Sequence, residues 1–149
     1  ITISRALDVD GKNQTLKTLS EYISFHDNIN NFLFGIFVKR NNKLIGTHSF
    51  RSFPKSKIAS VGTMIGNQDY WGRGVPLETR ARILDWAFNE KDCDKVKAGC
   101  YSINYPAIYN FKRQKWKIEG IKESCRIIDN KFVDLILFGM KKKTWYEQN

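Results

Sequence analysis

The chain is poor in the residues that usually announce a chemistry. Its 149 residues include three cysteines, three prolines and two histidines. Cys93, Cys100 and Cys125 are odd in number and lack metal-ligand spacing, which argues against a disulfide framework or a zinc site and for buried, reduced thiols in a cytoplasmic protein. No apolar run approaches membrane-spanning length, and no signal-peptide pattern is present. There are no internal repeats, low-complexity tracts or linker-like segments, so residues 1–149 read as a single domain. The chain starts at Ile1 without a methionine, which leaves room for residues upstream. Zinc-finger, recognition-helix and RNP patterns are missing, as is a Walker loop.

What is present belongs to a folded protein: 42% of residues are hydrophobic and 13% aromatic. Twenty-five basic against 15 acidic residues give a net charge of +10. That excess either solvates the surface or meets an anionic partner.

The most informative stretch runs from Ser60 to Glu90. An apolar strand leads into the loop Tyr70-Trp71-Gly72-Arg73-Gly74-Val75, and Pro76 then opens a helix with Leu77, Ala81, Leu84, Ala87 and Phe88 on one face. A strand, a Gly-x-Gly turn and a helix N-terminus together make an anion cradle. Glycines let the backbone curl, free N–H groups point outward, and the helix dipole favours negative charge. Position 77 is leucine where a dinucleotide fingerprint needs a third glycine. Taken alone, the loop equally suits a plain strand-to-helix turn.

The remaining pattern is of short strands and helices. Ile1–Ala6 reads as a strand and Asp8–Gln14 as a loop. Thr15 caps a helix with Leu16, Leu19, Tyr22 and Ile23 on one face, broken by Asn28–Asn31. Phe32–Arg40, Lys43–Phe53 and Ile58–Ile65 read as three antiparallel strands joined at Asn41-Asn42 and Pro54–Lys57. Lys95–Tyr101 is a strand, Asn104 to about Gln114 a short helix, and Ile118–Ile128 with Phe132–Met140 a hairpin about Asp129-Asn130. The fold class is α+β with a mixed, mostly antiparallel sheet, and the crossover helix from Pro76 implies one parallel pair.

Tyr70-Trp71-Gly72-Arg73-Gly74 with Glu78, then Asn104-x-x-Ala107, Glu119-Gly120, Phe132-Val133-Asp134 and a closing Trp145 occur in order and at consistent intervals. With these features the chain resembles the GNAT superfamily of acetyl-CoA-dependent N-acetyltransferases, in the RimJ/RimL-like branch, from about Thr15 to Trp145. The resemblance implies a three-layer α/β/α fold and acetyl-CoA as co-substrate, with no metal. It implies that amides of Gly72, Arg73, Gly74 and Val75, framed by Tyr70 and Trp71, hold the pyrophosphate. Met64 and Ile65 would pair with the pantetheine arm as an added strand does, and Asn104 would place its side-chain amide against the same arm. Arg73, Lys112 and Arg113 would serve the outer phosphate and adenine end, or else are ordinary surface charge.

Phe111 is counted with the cofactor-binding positions that the resemblance implies, and there the chain departs from the family pattern: many relatives carry a proton-donating tyrosine, and Tyr109 points about 200° away on a helix. Lys115-Trp116 replaces the usual Gly-Phe pair, and Glu123 stands where an arginine is common. For the base, His48 beside the cofactor strand has a side chain whose ordinary pKa suits the task; it also reads as a hydrogen-bonded sheet histidine. His26 is accounted for by a helix C-terminus, Glu78 by a helix N-terminus. The direction of Asp134 is open. The expected acceptor is an anionic small amine or nucleotide-linked amino sugar, bordered by the helix Thr15 to His26 and the loop to Asn31, whose Tyr22, Phe25 and Phe32 either stack on it or fill the core. A protein N-terminus is the alternative acceptor. The rivals of another class are a CoA-binding domain without turnover and a nucleic-acid-binding module drawn by Lys141-Lys142-Lys143. Oligomeric state is open.

Overall fold

Five segments of this chain carry their own start or stop signals, and each folds where those signals fall. The computed structural model describes residues 15–148; the expected strand Ile1–Ala6 and loop Asp8–Gln14 lie outside the described residues. Helix α1 (Leu16–Ser24) begins at Thr15, whose hydroxyl accepts the Thr18 N–H at 3.2 Å while the Thr18 hydroxyl accepts the Thr15 N–H at 2.9 Å. This is a capping box built from two threonines. Past the helix, Asp27 Oδ1 accepts three consecutive N–H groups, from Ile29, Asn30 and Asn31, at 2.8 to 2.9 Å. Those bonds, led by the one from Asn31, hold its carboxyl down at about 2.

Strands β1 (Asn31–Val38), β2 (Lys43–Phe53) and β3 (Ile58–Ile65) form an antiparallel meander. Helix α2 (Val75–Asn89) crosses over to β4 (Lys95–Tyr101), which runs parallel to β3 as the crossover argument requires. Helix α3 (Tyr105–Arg113) is capped by Asn104 Oδ1, which accepts the Ala107 N–H at 3.2 Å. Strands β5 (Lys117–Ile128) and β6 (Lys131–Lys141) close the sheet, which has the order β1-β2-β3-β4-β6-β5. Their turn places Asp129 and Asn130 both at positive φ, 50° and 58°, the pattern of a two-residue hairpin loop. A last helix, α4 (Lys142–Gln148), follows β6, where the sequence pattern assigns no element.

Strand alternation sorts the sheet into two faces. Phe50, Ala59, Val96, Phe138 and Met140 lie on one, buried under Ile83, Leu84, Ala87 and Phe88 of α2, Phe111 of α3 and Trp145 of α4. Trp86 packs edge-on against Phe32, Phe34 and Phe50 at centroid distances of 5.0 to 5.2 Å. Trp145 also donates its indole N–H to Asp85 at 2.7 Å, and Lys142 reaches the Phe88 carbonyl at the end of α2 at 2.7 Å. The Lys141–Lys143 run is thus partly spent on closing the helix layer. Among the described residues, the other face of the sheet is open and bordered only by the end of α1. Leu16, Leu19, Tyr22 and Ile23 form the expected stripe on α1, but among the described residues nothing covers it, and all four are exposed.

Candidate functional site

β3 and β4 pair over only three residues each, Ile58 with Lys95, Ala59 with Val96 and Ser60 with Lys97. Beyond them β3 stays joined to β2 out to Ile65, opposite Gly46, and β4 stays joined to β6 out to Tyr101, opposite Leu135. From Val61 and Ala98 onward the two middle strands therefore part while each remains held by its outer neighbour. The parted edges present main-chain donors and acceptors with no strand between them, which water or an extended ligand must satisfy. On the open face the first residues past the parting are Gly62 and Gly99, so neither of the two strands sends a bulky side chain over the gap there.

The loop beyond β3 meets the fit test for a diphosphate. Gly72 and Gly74 have φ of 73° and 76°, and a Cβ at either would meet nothing within 4 Å: the space in front is clear. Among the described residues, no acceptor is offered to the N–H groups of Gly72, Arg73, Gly74 or Val75. Gly74 is itself the N-cap of α2, and Pro76 occupies the first turn without needing an N–H. Four free donors at the positive end of a 15-residue helix are what a phosphate anion requires. Trp71 fixes the loop from below by donating its indole N–H to the Ile65 carbonyl at 2.9 Å. That carbonyl is therefore taken, which narrows the expected pairing at Met64 and Ile65. Arg73 lies over the Tyr70 ring at 5.7 Å.

On the open face, a cleft of about 720 Å³ spans the mouth of the parted strands. Tyr22, Phe25 and His26 form one wall; Ser49, Arg51, Ser60 and Gly62 the floor; Lys97, Gly99, Glu119 and Lys122 the far side. Of the three aromatics read as either stacking on the acceptor or filling the core, Tyr22 and Phe25 line the cleft and Phe32 fills the core. Glu119 is engaged by Lys95 at 2.6 Å and packs over Gly139, where a side chain would collide with its carboxylate.

His48 takes the hydrogen-bonded sheet reading, and His26 makes its helix-end contact while lining the cleft. His48 shares its face with Phe50, so it points under α2, is 2% exposed and does not line the cleft. Its Nε2 meets the Thr79 hydroxyl at 2.8 Å and its Nδ1 the Thr63 hydroxyl at 3.0 Å. Burial, with the nearby Arg80 charge second, pulls its pKa down to about 4. A neutral, doubly bonded ring under a helix is a packing element, and His48 is withdrawn as base. His26, by contrast, lines the cleft. Its Nδ1 lies 2.8 Å from the Tyr22 carbonyl, which must accept the Nδ1 proton, and Nε2 is left as an acceptor. The dipole contact anticipated at the helix end is real, and it orients the ring.

Phe111 is also corrected. It is 6% exposed, stacked on Phe138 at 4.4 Å on one side and on the Arg80 guanidinium at 4.1 Å on the other. It is a core residue and offers no surface to a cofactor. Arg80 has no carboxylate partner among the described residues; it bonds Gln114 at 3.2 Å, and burial draws its pKa down to about 10. Lys112 and Arg113 sit in the last turn of α3, whose C-cap Gln114 donates its side-chain amide to the Leu77 carbonyl in the first turn of α2 at 2.7 Å, so that end of α3 lies beside the helix start that follows Gly74. Asn104 spends Oδ1 on its cap and keeps its amide N–H groups. Asp134 accepts the Ser124 N–H at 2.9 Å, pinning the irregularity in β5. Cys93 and Cys100 are buried and Cys125 exposed; burial raises Cys100 to about 11. No group of three or more potential metal ligands occurs among the described residues, and no described helix is long and apolar enough to cross a membrane.

Comparison with known proteins places this geometry. Residues 5–113 match the model of the acetyltransferase (GNAT) domain. The chain is 23% identical over 113 residues to the uncharacterized N-acetyltransferase p20 of Bacillus licheniformis, covering 75% of this chain and 63% of that protein. It is 25% identical over 107 residues to the probable N-acetyltransferase YjcK of Bacillus subtilis, covering 70% and 59%. The chain thus spans under two thirds of the length of these curated relatives. Among solved structures, the spermidine N-acetyltransferase of Vibrio cholerae in complex with CoA and spermine superposes with a TM-score of 0.85 at 16% identity, over 97% of this chain and 85% of that one. The ribosomal-protein-S5-alanine acetyltransferase of Vibrio fischeri gives 0.72 at 21% identity, over 87% and 71%. Both share the three-layer fold.

Proposed function

This chain belongs to the acetyltransferase (GNAT) family, and from that premise we propose that it transfers acetyl from acetyl-CoA to a small primary amine by direct attack in a ternary complex. The observation that carries the reading is the adjacency of four unengaged amides at Gly72–Val75 to a parallel strand pair that opens after three rungs. The amides and Arg73 hold the diphosphate, the parted edges of β3 and β4 take the amide-bearing arm, and Asn104 supplies an N–H to it. The thioester contributes an activated carbonyl: the amine nitrogen bonds to its carbon, the carbon–sulfur bond breaks, and the nitrogen sheds a proton. The gap beside Gly62 and Gly99 admits the amine from the open face. A main-chain N–H on the parted edge of β3 donates to the carbonyl oxygen as charge develops there. His26 Nε2, in the same cleft, takes the amine's proton directly or through one water.

The Tyr70–Gly74 pattern with Glu78 supports a RimJ/RimL-like branch, for which a protein N-terminus is the second acceptor reading. The metabolite-sized cleft favours the small amine, and its uncompensated cations favour one with negative charge. The test is calorimetry with acetyl-CoA on the wild type and on Gly74→Asp, followed by thiol release across an amine panel. The variant places a side chain at φ 76° and a carboxylate in the cradle, and is expected to bind at least tenfold more weakly. Equal affinity in both proteins defeats the assignment of the loop.

A further inference from the structure

The strand register sets a row of side chains across the open face at the last rung before β3 and β4 part. Arg51 stands opposite Ser60, and Ser60 opposite Lys97. Both cations converge on one ring: the Arg51 guanidinium lies 5.1 Å and the Lys97 ammonium 5.7 Å from the Phe53 centroid. Neither is ion-paired among the described residues, and neither is Lys122 on the far side of the cleft. The carboxylate in the lining, Glu119, is committed to Lys95. The cleft therefore holds three uncompensated positive charges, two of them gathered at one end.

That end is two residues, roughly 7 Å along a strand, from the level of Gly62 and Gly99 where the strands have opened. A molecule that presents an amine to the gap and extends along the cleft places its other end on Arg51 and Lys97. A polyamine would bring ammonium groups against these cations, with no carboxylate free to receive them among the described residues of the lining. A phosphate or carboxylate would find two donors, with the Ser60 hydroxyl between them. The solved structure that superposes at 0.85 holds spermine, but at 16% identity that likeness transfers the fold and not the acceptor.

We propose that Arg51 and Lys97, with Lys122 facing them, form a subsite for an anionic group of the acceptor, so that the substrate is an amine bearing a phosphate or carboxylate and not a polyamine. This rests on the acetyl-transfer reading for the amine end, but the subsite can be tested without it. Calorimetry titrates the protein, saturated with CoA, with inorganic phosphate and with glucosamine 6-phosphate, for the wild type and for Arg51→Gln with Lys97→Gln. Lys39→Gln, in the turn after β1, is the charge control. Thiol release then compares glucosamine 6-phosphate with glucosamine, L-phenylalanine with phenethylamine, and spermidine.

The wild type and Lys39→Gln are expected to bind glucosamine 6-phosphate at least tenfold more tightly than the double variant. In one or both matched pairs the anionic member should exceed its neutral partner tenfold in kcat/KM, with phosphate and carboxylate told apart by which pair responds. Equal binding by wild type and double variant, an absence of binding, or spermidine as the best acceptor overturns the subsite. Failure to bind acetyl-CoA would instead remove the enzyme reading, and the phosphate titration of the unloaded protein would still decide the subsite.

Discussion

His48 should make the stability of this protein depend on pH in a calculable way. Its ring is buried at 2% exposure between Thr63 and Thr79, and burial together with Arg80 lowers its pKa from 6.5 to about 4. The folded state thus binds this proton less readily than the unfolded chain. Stability from His48 is complete above the unfolded pKa and is lost as pH falls from 6.5 towards 4, where the loss levels off. Between about pH 7.5 and pH 5 the two-pKa linkage gives a loss of about 2 kcal/mol, approaching about 3 kcal/mol at the acid limit. Urea unfolding at both pH values measures it. His48→Gln, which can keep a bond to Thr79, should be less stable at neutral pH but should lack this part of the pH dependence. Arg80→Met removes the second cause of the shift, so its pH loss should be smaller than that of the wild type. If the wild type and His48→Gln lose the same free energy between the two pH values, the buried neutral histidine is refuted.

Other perturbations test the same structure. His26→Gln should lower kcat at least tenfold while leaving acetyl-CoA affinity intact; unchanged turnover removes His26 as base. Phe111→Tyr forces a hydroxyl into the stack between Phe138 and Arg80 and should destabilise by about 1–3 kcal/mol, seen as a lower urea midpoint, without raising turnover. Trp145→Phe deletes the bond to Asp85 and should cost about 1 kcal/mol, again by urea unfolding; no change would show the α4 contact to be dispensable. The amide resonances of Ile29, Asn30 and Asn31 should titrate together near pH 2 as Asp27 protonates and the loop loses that support, whereas a midpoint near 3.8 contradicts the triple bond.

Local signals in the sequence determined most of the fold because each acts within a few residues. Thr15 and Asn104 cap helices through their own side chains, Asp129-Asn130 turns a hairpin, and the Gly-x-Gly loop before Pro76 folds as a free-amide helix start. The parallel pair followed from a crossover long enough to need a helix. What the sequence left undecided turns on which face of the sheet meets which helix. Period-two alternation groups His48 with Phe50, yet only packing of α2 on that face buries the histidine and turns Arg51 and Ser49 to the cleft. Phe111 looked like a site position because its spacing matched one; the stack with Phe138 and Arg80, 27 and 31 positions away in the chain, claims it for the core. Lys142–Gln148 carries no element in the sequence pattern; the bond of Trp145 to Asp85, 60 residues earlier, ties it to α2. Short-range propensity set the elements; contacts between residues distant in the chain buried His48 and shaped the cleft, since a side chain's surroundings form only when the layers close.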